Sequence, residues 1–452
     1  MLLTEALINR LAFLIQRETT LDDKQQVRRC LVDYLGVTFA GSKTLKDKAT
    51  LYADFIDSDG AYSVIGYSKK NNLATASFLN GLFAHVAELD DGDRYGMFHP
   101  GAPLFSALLP LMQRFEVSTK DFEKAVICGY EASMLIARTL QPFIKEKGFH
   151  GTGIAGTIGA AISCSVALNA NKEELKSSLS AACTSAAGLL KVIKGKSQMK
   201  PLNVAYAAQN GLQAALLAKS GFSGSYDVLD GKLGFFHAFS DQLNMDVLLN
   251  ASKTDDALIH SIYVKPYAAC RHCHAPIEAA INIANNTGFA SDAIDSVEVE
   301  TYSWAITGHD HTEIKGMNSA KMSIPYSVAA ALLHKSGDIE IYDNPYLTND
   351  TVLALTKKVN VIENSEMTRK APGERGARVK VKIKVKAEEM SFFVALPKGE
   401  PENPVTDSEL VQKTSSLCAF AGLQDSQIQQ VVSLMDSKQL DSEVLKNVLY
   451  SL

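Results

Sequence analysis

The sequence contains no apolar stretch close to the ~20 residues that a membrane-spanning helix requires. Its first residues, MLLTEALINRLAFLIQRE, place Glu5 and Arg10 inside an apolar pattern, which predicts an amphipathic helix rather than a secretory signal. The net charge is −5, and no block of lysine and arginine is interleaved with aromatic residues. Nucleic-acid binding is therefore not expected, and we expect a cytoplasmic protein that does not act at a membrane.

The seven cysteines are an odd number and do not suggest a disulfide framework. Cys128 and Cys164 lie in apolar helical sequence, which is typical of reduced, buried thiols. The sequence also lacks internal repeats and low-complexity linkers. Its 452 residues are enough for two to three domains of ~150 residues each.

The period of the apolar residues is mainly helical in the first part of the chain. Residues 121–140 place apolar side chains at i, i+3 and i+4, the pattern of a helix with one buried face. Residues 153–170 and 179–193 are rich in Ala, Gly and Ser. Such small residues let helix backbones approach closely, so these segments predict buried helices of a compact bundle.

The pattern changes near residue 290. Residues 295–306 alternate apolar and polar side chains and predict a strand, and residues 377–397 predict a β-hairpin with its turn near 387–389. Between them, residues 323–337 predict a helix with Pro325 in its first turn and Gly337 at its end. The tail returns to a helical pattern.

These segments predict a mainly α protein with a large all-helical domain and a smaller α+β domain. The predicted helical domain comprises residues 1–264 plus 396–452, and the predicted α+β domain comprises residues 265–395.

The segment HVAELDDGDRYGMFHPGAP, residues 85–103, has four carboxylates crowded before His99. They are Glu88, Asp90, Asp91 and Asp93. Two interpretations remain open at this point, a solvated acidic loop and a site for a hard cation. His99 precedes Pro-Gly at a predicted loop-to-helix junction, a usual place for catalytic side chains.

Two further segments place polar residues at predicted helix starts. His150 stands among glycines in KGFHGTGIAGTIGAA, and backbone N–H groups at a helix start favour an anion. Lys200 directly precedes Pro201 at the start of an Ala-rich helix. The helix dipole disfavours a cation there, and a bound anion would offset that cost.

The segment VKPYAACRHCHAPIEAA, residues 264–280, allows several interpretations. Its Cys-x-x-Cys-His string is the string of c-type haem attachment, but haem attachment needs an exported chain. A zinc site would use Cys270, His272, Cys273 and His274. The favoured interpretation is helical, with Lys265 and Cys270 lining a cavity, and we therefore predict no metal. In SAKMSIPYSVAAALL, residues 319–333, Tyr326 follows a proline at a helix start, with Lys321 five residues before it.

Taken together, these segments resemble the MmgE/PrpD family. The resemblance also includes PKGEPENPVTDSEL near residue 400 and covers nearly the whole chain. It implies a large helical domain, a smaller α+β lid and a homodimer. Activities in the family are dehydration of 2-methylcitrate, decarboxylation of cis-aconitate and epimerisation of iminodisuccinate.

The resemblance to the decarboxylase branch implies a set of active-site positions. They are His99, His150, Lys200, Lys265 and Tyr326. An Asp of that branch aligns with Glu88 and a Thr falls near Gly92, while a further active-site His falls at Cys270. The Cys-Arg-x-x-His pattern that begins at Cys270 is more similar to epimerase-type members.

The residues and the resemblance together predict a cofactor-free lyase that abstracts a proton α to a carboxylate of a small citrate-like substrate. His99 or His150 is the predicted base, because the unperturbed pKa of histidine lies near neutrality. Lys200 and Tyr326 complete the predicted catalytic set. The predicted substrate-binding residues are Glu88, Asp90, Lys265, Cys270, Arg271 and Lys321. An epimerase of an amino-dicarboxylate and a binding protein without turnover are the alternatives.

Overall fold

The computed structural model describes residues 2–193, 197–286, 291–384, 389–436 and 442–450. The chain divides into two compact units, which we call the helical unit and the α+β unit. The helical unit comprises Met1–Lys191, Met199–Ile262 and Thr406–Leu452, and the α+β unit comprises Val192–Gln198 and Tyr263–Val405. Among the described residues, none of the helices combines the length and the apolarity that crossing a bilayer would require.

The first part of the helical unit contains eleven of the described α-helices and one pair of strands. They are α1 (Leu3–Gln16), α2 (Leu21–Phe55), β1 (Asp59–Val64), β2 (Tyr67–Asn71), α3 (Leu73–Val86), α4 (Gly101–Arg114), α5 (Thr119–Leu140), α6 (Phe143–Glu146), α7 (Gly151–Ala167), α8 (Lys172–Ser185), α9 (Lys200–Lys219), α10 (Phe235–Phe239) and α11 (Met245–Leu249).

The α+β unit and the C-terminal segment supply the other α-helices and strands. They are α12 (His274–Asn286), β3 (Ile294–Thr301), α13 (Ser303–Ile306), α14 (Met317–Lys321), α15 (Ile324–His334), α16 (Asp350–Thr356), β4 (Val359–Glu363), α17 (Ser365–Lys370), β5 (Ala377–Ile383), β6 (Glu389–Val394), α18 (Asp407–Ala421), α19 (Asp425–Val432) and α20 (Ser442–Tyr450). Short 3₁₀ helices occur at Leu190–Ile193, Ala251–Lys253, Leu258–Ser261, Arg271–Cys273, Ser291–Ala293, Ile339–Tyr342, Tyr346–Thr348 and Ser433–Met435.

Helix α7 lies at the centre of the helical unit and is buried along its whole length. It packs against α5 and α9, and α9 also packs against α3. The close packing depends on small residues: a Cβ added to Gly159 would lie 2.9 Å from the carbonyl oxygen of Gly129 in α5. The prediction of closely packed small-residue helices is confirmed for this segment.

The C-terminal helix α18 packs on α2 within the helical unit. It begins at a capping box. The Thr406 side chain accepts a hydrogen bond from the backbone N–H of Glu409, and the Glu409 side chain accepts one from the backbone N–H of Thr406. The helical unit also contains a two-stranded antiparallel pair, β1 and β2, which the sequence analysis did not predict.

The α+β unit is built on a four-stranded sheet with the order β4-β3-β5-β6. β3 pairs in parallel with β4 and antiparallel with β5, and β5 and β6 form the predicted hairpin, with Lys382 opposite Glu389. Lys380 of β5 bonds to Glu298 and Glu300 on β3, and such cross-strand pairs of opposite charge stabilise a sheet. The predicted turn residues 387 and 388 lie outside the described residues.

Three predicted element boundaries are wrong. The strand predicted over 295–306 ends at Thr301, and Ser303–Ile306 is a short helix. The helix predicted over 179–193 is interrupted between Ser185 and Leu190. Helix α15 ends at His334, because Lys335 rather than Gly337 adopts the left-handed conformation that ends it.

Candidate functional site

The acidic segment between α3 and α4 is buried rather than solvated. Glu88, Asp90, Asp91 and Asp93 are each 6% exposed or less. The interpretation of this segment as a solvated acidic loop is therefore wrong. Buried carboxylates require hydrogen bonds or cationic partners, and these partners explain the geometry of the site.

Two of the four carboxylates hold the segment in place. Asp91 accepts hydrogen bonds from the backbone N–H of Gly101 at 3.0 Å and from the Tyr130 hydroxyl at 2.5 Å. Asp93 accepts two bonds from Arg138, at 2.8 and 2.9 Å. Burial raises the pKa of Asp91 to about 7. These contacts tie the segment to α4 and α5.

Asp90 instead faces histidines. Its Oδ2 atom lies 2.7 Å from Nδ1 of His85, in the last turn of α3, and 3.5 Å from Nδ1 of His99. His85 is fully buried, and its ring centroid lies 5.1 Å from that of His99 and 5.8 Å from that of His150. The structure thus brings the predicted residues His99 and His150 together around a third histidine that the sequence analysis did not select.

The hydrogen bond of His99 fixes its tautomer. Its Nδ1 atom lies 2.6 Å from the backbone carbonyl oxygen of Asp91, and a carbonyl oxygen can only accept. Nδ1 therefore carries the proton, and Nε2 carries the lone pair when the ring is neutral. A neutral imidazole in this tautomer can act as a base through Nε2.

His150 is the N-cap residue of α7 and is 6% exposed. Its backbone N–H donates to the carbonyl of Gly188 at 3.1 Å. A Cβ added to Gly153 in the next turn would lie 2.2 Å from the carbonyl oxygen of Ala187, so a glycine there lets the interrupted segment after α8 lie against His150.

Several groups act on the ionisation of His150. Burial, followed by His85, Lys200 and His99, lowers its pKa well below the ordinary value. Its Nδ1 atom is buried and makes no hydrogen bond with any residue that the structure describes. His150 is therefore a neutral imidazole near neutral pH.

Lys200 is the first residue of α9 and pairs with Glu88 in a salt bridge. Glu88 supplies the anion that the helix start was expected to need. Its backbone has φ +57°, a left-handed conformation that costs of order 1–3 kcal/mol for a residue other than glycine. Such strain clusters at functional sites.

The other predicted site residues belong to the α+β unit. Lys265 and Lys321 are both fully buried, and the carbonyl of Lys321 accepts from the backbone N–H of Cys270 at 2.9 Å. Residues before Arg271 are not helical, because α12 begins only at His274. The helical interpretation of residues 264–280 is therefore wrong for their first half.

Arg271 and Tyr326 make contacts typical of structural residues. Arg271 is 5% exposed and pairs with Glu400. The Tyr326 hydroxyl is buried and donates to the carbonyl of Ile341 at 2.6 Å. We therefore do not assign proton transfer to Tyr326 in the function proposed below.

The cysteines and histidines near residue 270 do not group as the zinc interpretation expected. Sγ of Cys273 lies 3.9 Å from the carbonyl oxygen of Lys321, and Nε2 of His274 lies 3.2 Å from that of Ala269. Within the described residues, one group of three potential metal ligands is found, and it joins Cys270 and His272 to His309.

Both units match domains of one known family. Residues 16–248 match the MmgE/PrpD N-terminal domain, and residues 267–437 match the MmgE/PrpD C-terminal domain. The chain belongs to the MmgE/PrpD family. The resemblance read from the sequence motifs is therefore confirmed.

Relatives within the MmgE/PrpD family match over most of their length. A cis-aconitate decarboxylase-like protein, oryM, of Aspergillus oryzae is 28% identical over 98% of this chain and 95% of its own. A cis-aconitate decarboxylase of Aspergillus terreus is 24% identical over 92% and 88%. The cis-aconitate decarboxylase of Mus musculus is 24% identical over 74% and 70%.

The MmgE/PrpD positions predicted here fall into two groups. His99, His150 and Lys200 lie in the helical unit, where His150 responds electrostatically to the other two. Lys265 and Tyr326 lie in the α+β unit. The position of His85, five residues before Asp90, could have suggested the contact between them, although such a spacing alone is weak evidence for a shared site.

Proposed function

We propose that this protein is an enzyme that removes or returns a proton next to a carboxylate of a small polycarboxylate, and that it acts as a lyase. The observation that carries the proposal is the cluster of His85, His99 and His150 beside the Lys200–Glu88 pair. The cluster offers a buried base next to a fixed positive charge. Those are the two requirements for forming an enolate-like intermediate.

His150 is the base in this proposal. A base must be unprotonated when the substrate binds, and the lowered pKa of His150 meets that condition near neutral pH. His99 is the second imidazole, and its tautomer leaves a lone pair on Nε2. In this proposal the protonated His99 returns the proton to the substrate or donates it to a leaving group.

Lys200 stabilises the negative charge that develops when the proton leaves. The Lys200 side chain is 12% exposed. Water therefore screens its ammonium group less than that of an exposed lysine, and this group interacts more strongly with a developing charge. Glu88 holds the lysine while the substrate is absent. A substrate carboxylate competes with Glu88 for the same ammonium group.

The relatives support a lyase acting on a polycarboxylate. Three of them carry the name cis-aconitate decarboxylase or cis-aconitate decarboxylase-like protein and align over most of this chain. The identity of 24–28% supports the class of reaction rather than one substrate, because one fold serves several chemistries. The roles predicted for Lys265, Lys321 and Cys270 remain predictions.

The test is proton exchange followed by NMR in D₂O. The enzyme is incubated with 2-methylcitrate, citrate, cis-aconitate and iminodisuccinate, one at a time. A substrate is expected to lose CO₂ or water and to take up deuterium at the carbon next to a carboxylate. Deuterium uptake with inversion and no loss of mass would support an epimerase instead of a lyase.

His150→Gln identifies the base. The exchange rate is expected to fall ~10²- to 10⁴-fold, the usual contribution of a general base. His237→Gln is the matched control, because His237 is exposed on α10 in the same unit. If the His150→Gln variant exchanged deuterium at the wild-type rate, His150 would not be the base.

A further inference from the structure

Cys270, His272 and His309 form a cluster inside the α+β unit. One potential ligand atom from each residue lies within 4.8 Å of the corresponding atoms of the other two. His309 is 7% exposed, and Cys270 and His272 are half-buried. The rings of His272 and His309 meet edge to face, with centroids 4.9 Å apart.

The backbone of this cluster is held by hydrogen bonds. The N–H of Cys270 donates to the carbonyl of Lys321 at 2.9 Å. The N–H of His309 donates to Ile306 at 2.9 Å, and the carbonyl of His309 accepts from Ile324 at 2.8 Å. The cluster therefore rests on fixed backbone segments, which is a requirement for a preformed binding site.

The two imidazoles are also oriented by second partners. Nδ1 of His309 lies 3.2 Å from the carbonyl oxygen of Thr307, so Nδ1 carries the proton and Nε2 carries the lone pair. Nδ1 of His272 lies 2.6 Å from the hydroxyl of Tyr302, which is buried. Metal-binding histidines have this arrangement, in which one nitrogen binds the ion and the other bonds to a neighbour.

We propose that Cys270, His272 and His309 bind a divalent transition-metal ion, with Zn²⁺ as the best fit, and leave a fourth position for an oxygen atom of a small ligand. A thiolate with two imidazoles suits Zn²⁺. Bond lengths of ~2.3 Å to sulfur and ~2.0–2.1 Å to nitrogen place tetrahedral ligand atoms ~3.3–3.6 Å apart. That spacing lies within the separation observed in the cluster.

Binding is a proton-for-metal exchange without electron transfer. The Cys270 thiol loses its proton to solvent as the sulfur–metal bond forms, and the two neutral imidazoles bind through lone pairs. The ligand at the fourth position is water or a carboxylate oxygen. This inference goes beyond the proposed function. It does not rest on the His150 cluster, to which none of its three residues belongs, although Cys270 is also a predicted substrate-binding position.

The test is metal binding by the full-length chain after removal of any histidine tag. Metal is removed with a chelator, Zn²⁺ is titrated against a competing indicator, and the bound metal is counted by mass spectrometry. One Zn²⁺ per chain is expected. Replacement by Co²⁺ is expected to give an absorption band from thiolate-to-cobalt charge transfer.

Matched variants separate this site from adventitious binding. Cys270→Ser and His309→Asn are expected to weaken Zn²⁺ binding at least ~10-fold. Loss of a residue that only bonds to a metal ligand already lowers metal affinity ~10- to 100-fold. Cys273→Ser and His311→Asn are the controls, because they remove the same chemical groups two or three residues away. They are expected to keep one Zn²⁺ per chain and the cobalt band.

Two outcomes would overturn the proposal. One is the failure of the wild-type chain to bind stoichiometric Zn²⁺ in the micromolar range. The other is binding by Cys270→Ser and His309→Asn that equals binding by the wild type. Circular dichroism of the metal-free variants establishes that each one is folded. If one of the two control variants does not fold, the other still serves as the control. Proton exchange plays no part in these readouts.

Discussion

Oδ2 of Asp90 lies 2.7 Å from Nδ1 of His85 and 3.5 Å from Nδ1 of His99. The buried carboxylate therefore orients His85 by a hydrogen bond and lies near His99, whose Nδ1 atom donates to the carbonyl oxygen of Asp91. The position of Asp90 depends on the neighbouring Asp91, whose bonds to α4 and α5 fix the segment. We therefore expect Asp90 to be a positioning residue that affects the proposed reaction through the histidines.

Asp90→Asn tests this positioning role. The amide preserves the shape of the carboxylate but removes its charge and one acceptor, so the His85 imidazole loses its charged partner. If Asp90 is a positioning residue, we expect kcat to fall roughly 10- to 100-fold with little change in KM, whereas the substrate-binding role predicted from the sequence would raise KM. Asp90→Glu is expected to restore part of the rate. An increase in KM at constant kcat would contradict the positioning role.

If His150 is the base, as proposed, its low pKa is expected to set the pH dependence of proton exchange. Folded His150 stays neutral below the ordinary histidine range, so the exchange rate is expected to remain level as the pH falls through 6.5 and to decline only at lower pH. Lys200 is one cause of the low pKa. Lys200→Met is therefore expected to raise the pKa of His150 and so to move this decline to higher pH. The exchange rate of the variant is expected to be lower than that of the wild type at every pH. A wild-type rate that halves near pH 6.5 would argue against His150 as the base.

The local sequence signals located only part of this cluster. His150 and Lys200 stand at the starts of α7 and α9, where glycine and proline mark the boundary within a few residues. His85 lies inside an apolar helix, and only tertiary packing brings its ring to His99. His309 is 37 residues beyond His272, and no local sequence signal links the two.

The interrupted helix after α8 shows the same limit. Composition favours a helix through 179–193, but the carbonyl of Gly188 accepts from the backbone of His150 and Leu189 pairs with Phe149. Both contacts join distant parts of the sequence. The sequence of the segment alone therefore cannot predict that these contacts replace the helix that its composition favours. The burial of the acidic segment has the same origin, since Tyr130 and Arg138 arrive from α5.

Asp91→Asn tests the raised pKa of the buried carboxyl. Folded Asp91 keeps its proton up to about pH 7, whereas the unfolded chain releases it near 3.8. The contribution of Asp91 to the stability of the wild-type protein therefore decreases as the pH rises from 3.8 to 7 and is level above 7. The asparagine is uncharged at every pH and can bond to both Gly101 and Tyr130. The difference in free energy of unfolding, wild type minus variant, is expected to decrease between pH 5 and 7 in urea titrations. A difference that does not change over this range would mean that Asp91 is already ionised at pH 5.

The Arg10–Glu131 pair is a buried ion pair of the helical unit, and removing one of its two charges is expected to be strongly destabilising. Arg10 is fully buried, and its Nε atom donates to Glu131 at 2.7 Å. The same guanidinium donates to the carbonyls of Thr254 and Asp256, while Glu131 accepts from the backbone of Leu258. The pair therefore joins α1, α5 and the chain that precedes the α+β unit. Glu131→Gln leaves a buried cation without its counter-charge, which costs about 3–5 kcal/mol.

Asp241→Asn is the matched control for this loss. Asp241 pairs with Lys147 at 3.1 Å, but the two side chains are 90% and 45% exposed, and such a pair contributes at most about 1 kcal/mol. Urea unfolding followed by circular dichroism measures both variants at one pH. The double variant Arg10→Met/Glu131→Leu removes both charges together and is expected to be more stable than Glu131→Gln, because the main cost lies in the unpaired charge. If Glu131→Gln were no less stable than Asp241→Asn, the buried pair would not be a principal stabilising contact of this unit.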